Sequence, residues 1–137
     1  MFITESPIPL PEFLAEEPGG SSGAAASFVG VVRNHDHGKG VKELYYECYV
    51  SMAEKEIQGI VEDTKSICKV DEVKVLHRVG RLTVGEAALA VWVSAAHRQE
   101  AFAACRYVVE EIKKKVPIWK RQFFEDGTEE WVCCAAA

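Results

Sequence analysis

The chain has 137 residues, 48% of them hydrophobic, which is enough for one compact core, and we expect a single domain over residues 1–137. Its formal net charge of −5 comes from 16 basic and 21 acidic side chains, and an acidic chain with its cations clustered argues against a broad nucleic-acid surface and for a local anion site. No long apolar run, secretory signal or CxxC pair occurs, so we expect no membrane association and a reducing, cytoplasmic location.

The N-terminal half of the chain predicts three strands and two helices. In order they are a short strand at Met1 to Thr4, a brief helix at Pro9 to Glu17, strands at Ala24 to Val32 and Val41 to Tyr49, and a helix from Ser51 to about Cys68. Polar and glycine residues between the two longer strands are typical of a turn, so the second strand should pair back on the first. Ser51 and Glu54 have the spacing of a capping box at the start of the amphipathic helix.

The C-terminal half predicts four strands around a second long helix. In order they are strands at Val73 to Val79 and Ala87 to Ala95, joined through Gly80 to Gly85, a helix starting near His97, and strands at Trp119 to Phe124 and Glu129 to Val132. Pro117 ends the helix because the residue before a proline disfavours the α region. Without the short first strand and the brief first helix, the order ββαββαββ predicts an α+β fold in which an antiparallel sheet packs on two main helices.

Cationic side chains mark both ends of the second long helix. His97 and Arg98 lie at its N-terminus, where free N–H groups and the helix dipole favour a phosphate or a carboxylate. Lys113 lies near its C-terminus and Lys120 follows the proline bend, so both amines can converge on one site and act as acid, base or nucleophile. Taken alone, three consecutive lysines at 113–115 are more typical of a solvated helix end.

The two cationic ends lie too far apart to serve one small site within one chain. His97 and Lys113 are 16 positions apart (113 − 97), which corresponds to about 24 Å along a straight helix. If both ends belong to one site, two chains must supply them. An antiparallel homodimer would bring one chain's His97 and Arg98 next to the other chain's Lys113 and Lys120.

Five ordered motifs extend over about residues 24–132. They are FVGVVR at 28–33, GV at 40–41 with LYYECYVSMA at 44–53, HRVGRLTVGE at 77–86, HRQEAF at 97–102, and Lys113 with PIWK at 117–120. Together they resemble the large subunit of molybdopterin synthase. The resemblance implies an α/β-hammerhead-like fold and a homodimer at the core of a heterotetramer with a small ubiquitin-like partner ending in Gly-Gly. It also implies the reaction, in which the partner's thiocarboxylate donates sulfur to cyclic pyranopterin monophosphate during molybdenum cofactor biosynthesis.

The resemblance further implies roles for five residues. Lys113 and Lys120 are similar to the family's active-site lysines, and Arg33, His97 and Arg98 are similar to its substrate- and anion-binding positions. We expect Lys113 to carry proton transfer or transient carbonyl chemistry and Lys120 to position the tail, with the reverse assignment open. The pterin phosphate would bind beside Arg33, His97 and Arg98.

Two positions depart from the family pattern. Trp131-Val132 is followed by Cys133-Cys134 and three alanines, where family members often carry basic residues. Phosphate binding should then depend more on Arg33 and Arg98. Gln122 stands where an acidic residue is common, which predicts a weaker salt bridge beside the lysines.

Other candidate sites are weaker. His35-Asp36-His37 has metal-ligating side chains, but no further ligand lies nearby in sequence, so we expect a solvated loop. His77 should be a hydrogen-bonded core histidine, and Arg78 and Arg81 either shape a partner surface or face solvent. No phosphate-binding glycine loop, nucleophile elbow or dinucleotide fingerprint occurs, and we expect no bound metal or cofactor. The alternatives to an enzyme are a non-catalytic dimer that docks a Gly-Gly tail or an anion, and a nucleotide-binding regulator.

Overall fold

The computed structural model describes residues 1–133, which form helices and two β-sheets. The strands are β1 Ile3–Thr4, β2 Ala24–Val31, β3 His35–Asp36, β4 Lys39–Cys48, β5 Glu72–Arg78, β6 Gly80–Thr83, β7 Ala87–Ala95, β8 Ile118–Phe124 and β9 Glu129–Cys133. The helices are α1 Leu10–Leu14, α2 Val50–Cys68 and α3 Arg98–Lys115. The expected α+β class, with antiparallel strands and two main helices, is confirmed. The predicted tail at Cys134 and the alanines after it lies outside the described residues.

The strands form two sheets where the sequence predicted one. The first sheet has the order β1-β5-β7-β2, and the second has the order β3-β4-β8-β9 with β6 also paired to β4. Each pairing is antiparallel except that of β1 with β5, which is parallel. Each sheet therefore contributes an apolar layer of its own, and the two layers pack against different parts of the chain.

The predicted pairing of Val41–Tyr49 on Ala24–Val32 is wrong. β2 pairs with β7, while β4 pairs with β6 and β8. The turn residues form a small hairpin of their own, in which β3 pairs with the start of β4 and His37 and Gly38 have positive φ angles of 50° and 76°. This hairpin directs β4 into the second sheet instead of returning it to β2.

Both long helices pack on one face of the first sheet. The buried cluster there combines Ile57 and Ile60 of α2, Val108 and Ile112 of α3, and Val91 of β7. The opposite face of β7 is also covered, because Ala90 and Trp92 pack with Ile8 and Phe13 from the N-terminal segment. Among residues 1–133, none of the helices has the length and apolar character that crossing a membrane requires.

The predicted capping box at the start of α2 is wrong. The helix begins at Val50, one residue earlier than predicted, and Tyr49 occupies the N-cap position without a side-chain cap. Glu54 instead accepts hydrogen bonds from the backbone N–H groups of Phe2, at 2.6 and 3.0 Å, and of Ile3, at 3.1 Å. Its carboxylate therefore fastens the N-terminal strand to the first sheet.

The chain crosses from the first sheet to the second at Gly80. The segment predicted as a plain connection contains β6, whose Leu82 is fully buried with Leu44 of β4 and Phe124 of β8. Gly80 has φ +94°, a conformation that other residues rarely adopt. Tyr46 packs against the buried clusters of both sheets, and the space beside it forms the cavity described next.

Candidate active site

A cavity of about 310 Å³ lies between the two sheets, next to the last turn of α3. Its apolar walls come from β2, β4, β7 and the residues that follow α3. The polar and ionisable side chains that line it are Arg33, His35, Asp36, Tyr46, His77, Lys113, Lys120 and Gln122. A pocket of this volume, with an apolar wall and a few polar groups, is suited to a small ligand or the end of a peptide.

The bend after α3 brings Lys113 and Lys120 to the same cavity. Val116 ends the helix in an extended conformation, with φ −81° and ψ 122°, and its N–H still donates to the carbonyl of Ile112. Val116 and Ile118, on either side of Pro117, are 0% and 1% exposed and hold the bend against the core. The two lysines therefore lie on opposite sides of a fixed corner and both line the cavity.

The three consecutive lysines at the end of α3 have different partners. Lys114 and Lys115 lie 3.8 and 2.8 Å from the carboxylate of Glu111, which is 8% exposed. The hydrogen bond from Lys115 is the main reason why the pKa of Glu111 is lowered. Within residues 1–133 Lys113 has no ion pair, and its ammonium group can therefore bind a ligand in the cavity.

His77 is the hydrogen-bonded core histidine that the sequence predicts, and it also lines the cavity. Its Nδ1 lies 2.8 Å from the carbonyl oxygen of Arg78. Because a carbonyl only accepts, Nδ1 is assigned the proton and Nε2 is left as an acceptor in the neutral ring. Burial lowers the pKa of His77 to about 4, and the charge of Lys113 contributes to this shift. The ring is therefore neutral at neutral pH.

Arg33 and Asp36 enter the cavity from the segment after β2. The Nη2 atom of Arg33 lies 3.6 Å from Oδ1 of Asp36, and Nε2 of Gln122 donates to Oδ2 of Asp36 at 2.8 Å. The bond from Gln122 is the main reason why the pKa of Asp36 is lowered, and the charges of His37, Lys120 and Arg33 lower it further against the effect of burial. Asp36 is thus an ionised acceptor within a group of cations.

His97 and Arg98 lie away from this cavity. His97 is the N-cap residue of α3, and both side chains are exposed. The helix is 18 residues long, which corresponds to about 27 Å, so its two ends cannot share one small ligand within a chain. Of the five predicted site residues, the structure brings together Arg33, Lys113 and Lys120 and leaves His97 and Arg98 on a separate surface.

Five polar residues of the cavity were not predicted as parts of a site, among them His77, Asp36 and Gln122. The sequence predicts a core residue at His77, a solvated loop at Asp36 and a departure from the family pattern at Gln122, whereas all three line the cavity. Gln122 had a usable signal, because it lies two positions after Lys120 on the same strand and therefore on the same face.

The two arginines predicted to shape a partner surface or to face solvent form ion pairs within the chain. Arg78 and Arg81 pair with Glu86 and Glu43, at 3.0 and 3.7 Å.

The cavity has the excess of positive charge that favours an anion. Three basic side chains and one carboxylate leave it with an excess of positive charge, and partial enclosure strengthens hydrogen bonds to a charged ligand. A lysine amine in such a site can also exchange protons with a bound carbonyl or carboxylate. Within residues 1–133, no three His, Cys, Asp or Glu side chains are grouped so that they can hold a metal ion.

Fold and cavity together define an α+β protein with a cationic pocket between two sheets. A family model described as MoaE protein matches residues 3–115. The chain belongs to the MoaE protein family, and the resemblance found in the sequence is confirmed.

Individual relatives agree with this assignment. The chain is 42% identical over 110 residues to a Thermoplasma volcanium protein named molybdopterin synthase catalytic subunit, with 80% of each chain covered. The molybdopterin synthase structure from Staphylococcus aureus has a TM-score of 0.89 and 32% identity, with 96% of this chain and 95% of that chain covered. A Helicobacter pylori complex of subunits 1 and 2 of molybdopterin-converting factor has a TM-score of 0.74 at 20% identity, with 96% and 88% covered, and shares the fold.

Proposed function

We propose that this chain is the catalytic subunit of a molybdopterin synthase. In this reaction the C-terminal thiocarboxylate of a small ubiquitin-like subunit donates sulfur to cyclic pyranopterin monophosphate. The convergence of Lys113, Lys120 and Arg33 on one cavity carries the proposal, in a chain that belongs to the MoaE family. The alternative of a non-catalytic docking module requires the same cationic cavity but no chemistry at Lys113.

The chemistry of the cavity suits an anionic sulfur donor. A Gly-Gly tail is narrow and ends in a negative charge, so the ammonium group of Lys120 can hold it by a charge-assisted hydrogen bond. Each donor subunit gives up its sulfur by cleavage of the C–S bond, takes an oxygen atom from water at the acyl carbon and leaves with a carboxylate. Two donors bind in succession to complete the dithiolene. The ammonium group of Lys113, beside neutral His77, can stabilise the charge that develops at the reacting carbonyl or transfer a proton to it.

The proposed assembly is a homodimer that binds two small subunits. The length of α3 is the main support for a dimer, because most of its 18 residues separate His97 and Arg98 from the cavity of the same chain. In the dimer these two residues of the partner would bind the pterin phosphate together with Arg33. The Helicobacter pylori structure, which shares the fold, is itself a complex of two different subunits. We further propose a cytoplasmic location for the complex.

The decisive experiment measures dithiolene product from the purified chain, a thiocarboxylated small subunit and cyclic pyranopterin monophosphate. We expect product from the wild type and at least a hundredfold less from Lys113→Ala, because the cavity loses its unpaired ammonium group. Lys114→Ala is the matched control, since Lys114 is paired with Glu111 outside the cavity and should retain wild-type turnover.

Partner binding separates the two candidate functions. Both variants should bind the small subunit as the wild type does. Lys113→Ala alters only the part of the cavity that would contact the reacting end of the small subunit's tail. Tight binding by a wild type that forms no product would contradict the enzyme and favour the docking module. Lys113→Arg is a stricter comparison, because it keeps the charge but not the amine chemistry.

A further inference from the structure

Asp36 is the single carboxylate among the described residues that line the cavity. We propose that Asp36 is a positioning residue, which Gln122 locks in place and which holds Arg33 and Lys120 in the arrangement that the reaction needs. This inference deepens the proposed function and rests on it for its kinetic test. Its structural test is independent of any activity.

The first step of the argument is the hydrogen bond that fixes Asp36. Gln122 is 2% exposed, and its amide group would be left without a partner in the core if Asp36 moved away. The side chain of Asp36 is 19% exposed and accepts this bond across 86 positions of sequence. The carboxylate is therefore held by a buried donor on β8, although β3, on which it lies, has only two residues.

The second step is that the two carboxylate oxygens face different parts of the cavity wall. Oδ2 accepts from Gln122, two positions after Lys120 on β8, while Oδ1 faces the guanidinium group of Arg33 at 3.6 Å. Arg33 is 67% exposed, and Asp36 is its one ion-pair partner within residues 1–133. Asp36 thus connects the segment after β2 to the strand that carries Lys120.

The third step concerns charge. Arg33, Lys113 and Lys120 repel one another in a partly enclosed space, and one carboxylate offsets this repulsion. Besides the hydrogen bond from Gln122, the pKa of Asp36 is lowered by the charges of His37, whose Nε2 lies 3.6 Å from Oδ2, and of Lys120 and Arg33. The net excess of two positive charges still attracts an anionic tail and a phosphate. Removing the carboxylate should therefore displace the cations without weakening the attraction for anions.

Exchange of the two side chains tests the proposal directly. Asp36→Asn keeps an acceptor for Gln122 but removes the charge, so the fold should be retained. Gln122→Glu alone places two carboxylates within hydrogen-bond distance. In the double variant Asp36→Asn/Gln122→Glu the amide donates from position 36 and the carboxylate accepts at position 122, so the hydrogen bond is restored and one negative charge returns to the pair, moved from position 36 to position 122. Asp126→Asn is the matched control, because Asp126 is a hydrogen-bonded carboxylate outside the cavity.

In kinetic measurements we expect Asp36→Asn to lower kcat about tenfold while KM for the pyranopterin does not rise. The kcat of the double variant should recover to within about threefold of the wild-type value. The kcat of Asp126→Asn should equal the wild-type value. A fold defect would lower the melting temperature, so a melting temperature equal to that of the wild type shows that the loss of kcat in Asp36→Asn is not a loss of fold. Wild-type kcat in Asp36→Asn, or a double variant no better than the worse single variant, would overturn the proposal.

Crystal structures of the wild type and the same variants provide the second readout. We expect the guanidinium group of Arg33 and the ammonium group of Lys120 to shift by about 1 Å or more in Asp36→Asn and to return in the double variant. Unmoved cations in Asp36→Asn would overturn the inference whatever the kinetics. A wild type that forms no product would contradict the proposed function alone, since the crystal structures still decide whether Asp36 positions the cations.

Discussion

His77 shows how one side chain can be both a core residue and part of a cavity wall. It is 6% exposed, its ring makes a T-shaped contact with Tyr46 at a centroid distance of 5.3 Å, and its Nδ1–H donates to a backbone carbonyl. These contacts hold the ring in one orientation and one protonation state. His77 therefore presents a neutral aromatic ring to Lys113 and adds no further cation beside it.

This arrangement predicts a pH dependence of stability. Burial holds the pKa of His77 at about 4 in the folded chain, against 6.5 as its ordinary value, so the unfolded chain binds the proton more readily. The contribution to the free energy of unfolding is complete above pH 6.5 and is lost as the pH falls towards 4. Between pH 7.5 and pH 5 the wild type should lose about 2 kcal/mol more than His77→Gln, as measured by urea unfolding. Parallel pH profiles of the two proteins would show that the ring is not held neutral.

At the residue scale the sequence is informative about chemistry and less so about neighbours. Lys113 and Lys120 can be placed together because a helix end, a proline and a strand separate them by a short and rigid path. Asp36 and Gln122 cannot be placed together in this way, because 86 positions lie between them and the chain passes through the first sheet before it returns to the second. The same limit applies to Glu54, whose spacing from Ser51 fits a cap while its carboxylate binds residues 51 and 52 positions earlier in the chain.

Among the elements, β1 depends most on one side chain. It has two residues, pairs with β5 at Ile3 and Thr4, and receives the carboxylate of Glu54 on the backbone N–H groups of Phe2 and Ile3. A strand this short gains little from its own ladder of hydrogen bonds. The N-terminal strand is thus held by a residue of α2 as well as by its own hydrogen bonds to His77 and Val79.

Glu54→Ala should therefore destabilise the protein by about 2 kcal/mol, because two backbone donors lose a charged acceptor. Ser51→Ala is the control on the same helix, and it should cost less than about 0.5 kcal/mol, because Ser51 does not cap α2. Chemical denaturation measures both values. Equal losses in the two variants would mean that the carboxylate does not fasten β1. Hydrogen exchange at Phe2 and Ile3 should increase in Glu54→Ala only.

Element types were more predictable than element pairings. Both long helices and the β8–β9 hairpin follow from apolar periodicity, Pro117 and the Asp126-Gly127 turn, which are local signals. The partners of β4 do not follow from such signals. A two-residue turn at His37 and Gly38 was enough to redirect that strand into the second sheet.

For the whole molecule, the distance between the two cationic ends of α3 leads to a test of the proposed dimer. Lys113→Ala and Arg98→Ala should each be nearly inactive, but a mixture of the two that is allowed to exchange subunits should regain about a quarter of wild-type turnover. Half of the dimers are then mixed, and each of these has one site with Lys113 from one chain and Arg98 from the other.

The control mixture pairs Lys113→Ala with Lys120→Ala. Both lysines line the cavity of the same chain, so every site in a mixed dimer carries a lesion and no activity should return. Turnover per chain, measured after exchange, distinguishes the two mixtures. A first mixture as inactive as the control would mean that Arg98 does not act across a dimer.

The strand pairing also determines when the cavity can exist during synthesis. In the second sheet Val41 pairs with Phe124 and Cys48 with Ile118, whereas α2 forms from neighbouring residues soon after it leaves the ribosome. Non-local pairing of this kind slows folding and leaves a strand edge unpaired while the rest of the chain is made. A nascent chain interrupted before Ile118 would carry Arg33 and Lys113 but neither β8 nor a cavity, and β4 would present an open edge to other chains.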